Sequence, residues 1–178
     1  MRIGDVVVEG KNVETLILPR PKFNIVIKAE AVIDMDEFDS LQPKPKPKYA
    51  LVGSTSTPLD DDTTEPGKVY KLALNKHEEM RDAWLMVTSL IPSDIEWDTV
   101  DPDVPSTCLV WQDELKKAGF TWAELGWIQR AVMRANSLDD AYLKECFKAF
   151  QQGLEAEVKE ESSGPTEELS STPSLPPA

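Results

Sequence analysis

The chain has 178 residues, a formal net charge of −13 and an isoelectric point near 4.5. That length suits one domain with a disordered extension, and so acidic a chain repels phosphate backbones and anionic membrane surfaces, so neither nucleic acid nor membrane is expected as a partner. No apolar run approaches the ~20 residues of a membrane span, and the opening Met-Arg-Ile-Gly-Asp-Val does not read as a signal peptide.

Residues 5–33 read as sheet. Asp5–Val8 and Val13–Leu18 are β-branched runs joined by Glu-Gly-Lys-Asn, a hairpin-type turn, and Pro19 and Pro21 stop the second run. From Phe23 to Ile33 the residues alternate: Phe23, Ile25, Ile27, Ala29, Ala31 and Ile33 point one way, as in a strand with one buried face. A short acidic segment follows, anchored by Phe38 and Leu41. Then comes the Pro-Lys run 43–48, whose alternate prolines favour an extended, stiff connector. Tyr49–Val52 and Lys68–Leu74 are expected to pair as a second hairpin around a Ser/Thr/Pro-rich loop holding Asp60, Asp61 and Asp62. Consecutive aspartates lack the alternating spacing of a calcium loop, so no metal is assigned.

Asn75 is read as the cap of the first long helix, which runs to Leu90 with Met80, Ala83, Trp84, Val87 and Ile91 (with Leu90) on one face, until Pro92. In the acidic connector 93–105, Trp97 is expected to pin the loop to the core. Three further stripes follow at helical spacing. The first is Cys108, Trp111, Leu115 and Ala118. The second is Leu125, Ile128, Val132 and Ala135. The third is Leu138, Tyr142, Leu143, Cys146, Phe147 and Phe150. Gly119 sits where a helix end needs a left-handed residue, Phe120 is placed for a Schellman ending, and Thr121 with Glu124 forms a Thr-x-x-Glu capping box. Asn136 is read as the end of the second stripe and Ser137 as the start of the third.

From Glu155 onward the chain has almost no bulky apolar residue. This tail holds six glutamates and one lysine, contributing −5 of the −13 and leaving −8 on the folded part; disorder is expected there. The expected architecture is α+β: a β-rich region 1–74 with a sheet of about four strands, a helical bundle 75–154 and a disordered acidic tail 155–178.

Few residues announce chemistry. His77 is the only histidine and is read as solvated; Cys108 and Cys146 are read as reduced core thiols. There is no glycine-rich phosphate loop and no nucleophile elbow, so neither an enzyme, a cofactor nor a metal is expected. The Gly119 corner has the outline of a DNA-binding helix–turn–helix, but the negative charge removes the phosphate attraction such binding depends on. At 100° per residue Trp127 falls away from the core stripe, beside Arg130 and Arg134. Tryptophan and arginine are over-represented in interface hot spots, so these three form the expected partner-binding patch.

The β-rich start ending in Phe38-Asp-Ser-Leu-Gln-Pro43, the middle helix Glu78–Ile91, and the closing series Trp111-x-x-Glu114-Leu115-x-x-x-Gly119-Phe120 followed by Glu124–Asn136 together resemble a tailed-bacteriophage tail assembly chaperone or related small tail-morphogenesis protein. The resemblance implies a non-enzymatic factor acting in the host cytoplasm on tail-tube or tape-measure-like subunits, with no catalytic residues. The alternatives are a structural component of the particle, such as a connector or tail-completion protein, and an acidic inhibitor of a host nucleic-acid enzyme.

Overall fold

The computed structural model describes residues 2–3, 6–7, 10–52, 55–60 and 63–150. The chain divides into two units, Met1–Asp139 and Asp140–Ala178. The fold is α+β, with antiparallel strand pairs before the long helices.

The strands do not merge into one sheet. They form three separate antiparallel pairs: β1 (Arg2–Ile3) with β2 (Val6–Val7), β3 (Val13–Pro19) with β4 (Asn24–Glu30), and β5 (Tyr49–Val52) with β6 (Thr55–Pro58). The partner of Val13–Leu18 is thus the alternating strand after it, not the run before it. Two seven-residue strands and the tight Arg20–Phe23 turn, closed by the Arg20 N–H on the Phe23 carbonyl at 3.0 Å, give the longest ladder available. Leu18, Ile27 and Ala29 are buried on its inner face. Phe23 and Ile33, expected on that face, lie beyond the strand ends and are exposed.

α1 (Asp36–Leu41) inserts Phe38 into the core. α2 spans Glu65–Ser89, so it begins well before Asn75 and takes in the stretch 68–74 expected as a strand. Thr64 caps it, its hydroxyl accepting the Gly67 N–H at 3.2 Å; a proline sits in the first turn and Lys68 pairs with Glu65 at 2.9 Å. Lys71, Leu72, Ala73 and Leu74 are good helix formers, which outweigh Val69 and Tyr70. Met80, Ala83, Trp84, Val87 and Leu90 are buried as expected, while Ile91 is exposed. Trp84 Nε1 donates to the Pro102 carbonyl at 2.9 Å, and Trp97 packs on the core.

A 3₁₀ turn (Pro105–Val110) leads into α3 (Trp111–Lys117), and α4 spans Trp122–Ala135. Cys108, Trp111 and Leu115, then Leu125, Ile128, Val132 and Ala135, are buried, while Ala118, expected on the first stripe, is exposed at the end of α3. In the second unit residues 140–150 are helical, with Cys146, Phe147 and Phe150 exposed. The expected acidic tail 155–178 lies outside the described residues.

The β3–β4 hairpin is fastened along α4. Seven residues of strand span about 23 Å and fourteen of helix about 21 Å, so the two match in length. At one end Arg20 ion-pairs with Glu124 at 3.0 Å and lies 5.6 Å from the Phe120 ring centroid. At the other, Asn12 Nδ2 donates to the Ala135 carbonyl at 2.8 Å. Asn136 completes this end: its Oδ1 accepts the Val32 N–H at 2.8 Å, and its Nδ2 donates to Ser89 Oγ and the Val132 carbonyl, each at 2.9 Å.

Asn136→Ala strands a buried serine hydroxyl and the Val32 N–H. Such losses cost about 1–3 kcal/mol, so urea denaturation is expected to show a lower midpoint with an unchanged slope.

Candidate protein-binding surface

The corner before α4 fixes how that helix presents its side chains. Gly119 adopts φ +92, its N–H donates to the Lys116 carbonyl at 3.0 Å, and the Phe120 N–H donates to the Leu115 carbonyl at 3.0 Å. These are the paired bonds of a Schellman ending. Thr121 Oγ1 accepts the Glu124 N–H at 3.3 Å, while Glu124 Oε2 accepts the Thr121 N–H at 2.8 Å. The capping box is complete. The far end of α4 repeats the device with a serine. Ser137, expected as a helix start, has φ +57 and ends α4 instead; its N–H donates to the Arg134 carbonyl and that of Leu138 to the Met133 carbonyl.

On the helix so fixed, Trp127 is 43% exposed and Arg130 is exposed, without an ion-pair partner among the described residues. Arg134 is more engaged: its Nε lies 3.4 Å from Asp139 Oδ2, and its carbonyl accepts a bond from Asn12. The patch expected from the sequence therefore keeps Trp127 and Arg130 accessible and holds Arg134 as a tethered flank. Trp122 was not singled out by the sequence pattern, yet it is 85% exposed. The helical wheel was the available signal, since Trp122 falls about 120° from Ile128 at about 100° per residue. Between Trp122 and Arg130 on the outer face lies Gly126, where an added Cβ would meet nothing within 4 Å.

The other sequence candidates resolve differently. His77 is not solvated but buried; its Nε2 donates to the Gln42 carbonyl at 2.9 Å and its ring packs edge-on to Phe38 at 5.2 Å. Placing Phe38 over the middle of α2 is a long-range event that helix periodicity does not report. Cys108 is buried, and its thiol is pushed up to about 11, first by burial and then by the negative charge of Asp101. Cys146, expected in the core, is exposed. Among the described residues no group of three His, Cys, Asp or Glu side chains is placed to hold a metal ion; Asp60 is exposed, and 61 and 62 lie outside the described residues. No helix among the described residues is long and apolar enough to cross a membrane. Comparison with protein-family models, characterised proteins and solved structures finds no match to this chain.

Two carboxylates hold local structure around α3 and α4. Glu124 is held below the ordinary glutamate range, chiefly by the Thr121 N–H and with help from Arg20, against the cost of burial. At Glu114 burial opposes ionisation, but the Thr99 hydroxyl and the N–H groups of Asp98, Thr99 and Val100 outweigh it and pull the pKa down.

A folded-state pKa below the unfolded one stabilises above the unfolded value, about 4.3 for glutamate. That stability is lost as pH falls through the folded values. Thermal melts below pH 4.3 are expected to show a steep fall in Tm that Glu114→Gln makes shallower. The thiols give a separate check. An aromatic disulfide reagent at neutral pH is expected to titrate Cys146 rapidly in the native protein and Cys108 only after unfolding.

Proposed function

We propose that this chain is a non-enzymatic assembly factor of the tail-chaperone kind. It binds tail-tube or tape-measure-like protein subunits in the host cytoplasm through the outer face of α4. The observation that carries the reading is the exposure of Trp122 and Trp127, 85% and 43%, on a helix anchored at both ends. Neither ring is needed to fill the core, and exposed tryptophans beside an arginine that has no ion-pair partner among the described residues make a surface suited to a protein partner. Arg130 supplies a donor for a carboxylate or backbone carbonyl on that partner, and Arg134 flanks it. The chain's −13 charge keeps a protein with such a surface soluble while it waits for its subunit.

The test is a pull-down of the tagged full chain from its producing cells, analysed beside purified particles. The expected result is recovery of tail-tube or tape-measure subunits and absence from finished particles. Trp122→Ala with Trp127→Ala is expected to abolish recovery while changing stability by no more than about 0.5 kcal/mol, as at other surface positions. Presence in particles at fixed stoichiometry would make the chain a structural component instead. Recovery of host nucleic-acid enzymes alone would make it an acidic inhibitor.

A further inference from the structure

A second surface lies on the far side of the hairpin from β3. Its bounds follow from strand register. Ala31 N–H donates to the Asn12 carbonyl and Arg20 N–H to the Phe23 carbonyl, at the two ends of the β3–β4 ladder. Antiparallel bonding alternates along a ladder. The pairs Glu14–Ala29, Leu16–Ile27 and Leu18–Ile25 therefore exchange bonds, and the backbone groups of Asn24, Val26 and Lys28 point away from β3. Lys28 confirms this: its N–H donates to Ser93 Oγ, and Ser93 Oγ donates to its carbonyl, both at 2.7 Å. One serine side chain thus meets the donor and acceptor that a neighbouring strand would otherwise satisfy. At Val26 and Asn24 the edge continues with no such cover among the described residues.

Beside this open edge is a cleft of about 410 Å³. Ile25, Ile27, Ile95, Trp97, Leu115 and Phe120 supply its apolar lining. Its charged lining is four carboxylates, Asp94, Glu96, Asp98 and Glu114, against the single Lys117. We propose that the cleft receives an extended segment of a partner protein that adds as a strand to β4 at Val26 and Asn24. That segment alternates aliphatic side chains, which enter the apolar lining, with lysine or arginine, which face the carboxylates. Open main-chain groups supply affinity in this mode and the pockets for alternate side chains supply selectivity. The charge balance of the lining decides for a basic strand. The site is separate from the outer face of α4 and stands whether or not the assembly-factor reading holds.

The test uses the full chain and a fluorescein-labelled peptide of alternating lysine and valine, read by anisotropy. Saturable binding is expected. A peptide of the same sequence, N-methylated on every amide so that neither edge can donate, is expected to bind at least about tenfold more weakly, a loss of about 1.4 kcal/mol. A glutamate–valine peptide is expected not to bind. Val26→Pro removes an edge N–H without touching the β3 ladder, a substitution edge strands tolerate; it and Glu96→Lys are each expected to weaken binding about tenfold or more. Trp122→Ala and Trp127→Ala are expected to leave peptide binding unchanged. Absent binding, equal binding of the N-methylated or glutamate–valine peptide, full binding by Glu96→Lys, or loss in the tryptophan variants each overturns the proposal. So does a dimer by sedimentation that Val26→Pro dissolves, because the occupant would then be a second copy.

Discussion

The structure depends on the fastening of one hairpin to one helix. Leu18, Ile27 and Ala29 bury only one face of a two-stranded ladder, and such a ladder is marginal by itself in water. It persists here because that face packs into one core with α2 and α4, and polar bonds clamp it to α4 at both ends. Arg20 grips Glu124 and the Gly119 corner; Asn12 and Asn136 hold the other end. Asn136 also reaches Ser89, so the same side chain ties in α2. The clamp orients everything that follows. It turns Trp122 and Trp127 outward on one side of α4, and it leaves an edge of β4 open beside Trp97 on another.

The two surfaces differ in chemistry. The outer face of α4 offers aromatic rings and a guanidinium, in a chain where acids greatly outnumber bases. The cleft offers apolar side chains and carboxylates beside β4 main-chain groups that have no partner among the described residues. Arg20 is committed to internal work, bonded to Glu124 and to the Gly119 carbonyl. Arg130 is left available, which raises the information carried by its position.

What the sequence made legible was local. The Gly119–Glu124 corner was readable because each of its bonds joins residues within a few positions of each other, and cap chemistry selects residue types strongly. The buried stripes of α3 and α4 followed from period. Long-range choices were less visible. Nothing near Val13 says whether its strand pairs backward or forward. The start of α2 is hidden because Val69 and Tyr70 imitate a strand, while the Thr64 cap that decides the matter lies upstream. His77 became a core residue only because Phe38, far off in sequence, folds over it. Ser137 has the residue type of a helix start, whereas here it takes the left-handed conformation that ends one. Of the candidate patch, Trp127 and Arg130 were readable from the helical wheel, but the Arg134–Asp139 contact and the exposure of Trp122 needed coordinates.

The Asn12–Ala135 contact has a consequence for the order of events in synthesis. These residues lie 123 positions apart, so the clamp closes a loop that contains nearly the whole first unit. Loop closure grows costlier with length and such distant contacts slow folding. A ribosome that has released the hairpin must still deliver α2, α3 and α4 before the hairpin's inner face is covered. During that interval Leu18 and Ile27 face solvent on a strand pair with open edges, the state most prone to wrong pairing. Proline at position 19, at the end of β3, and the charged Lys28 on β4 blunt those edges while the chain waits.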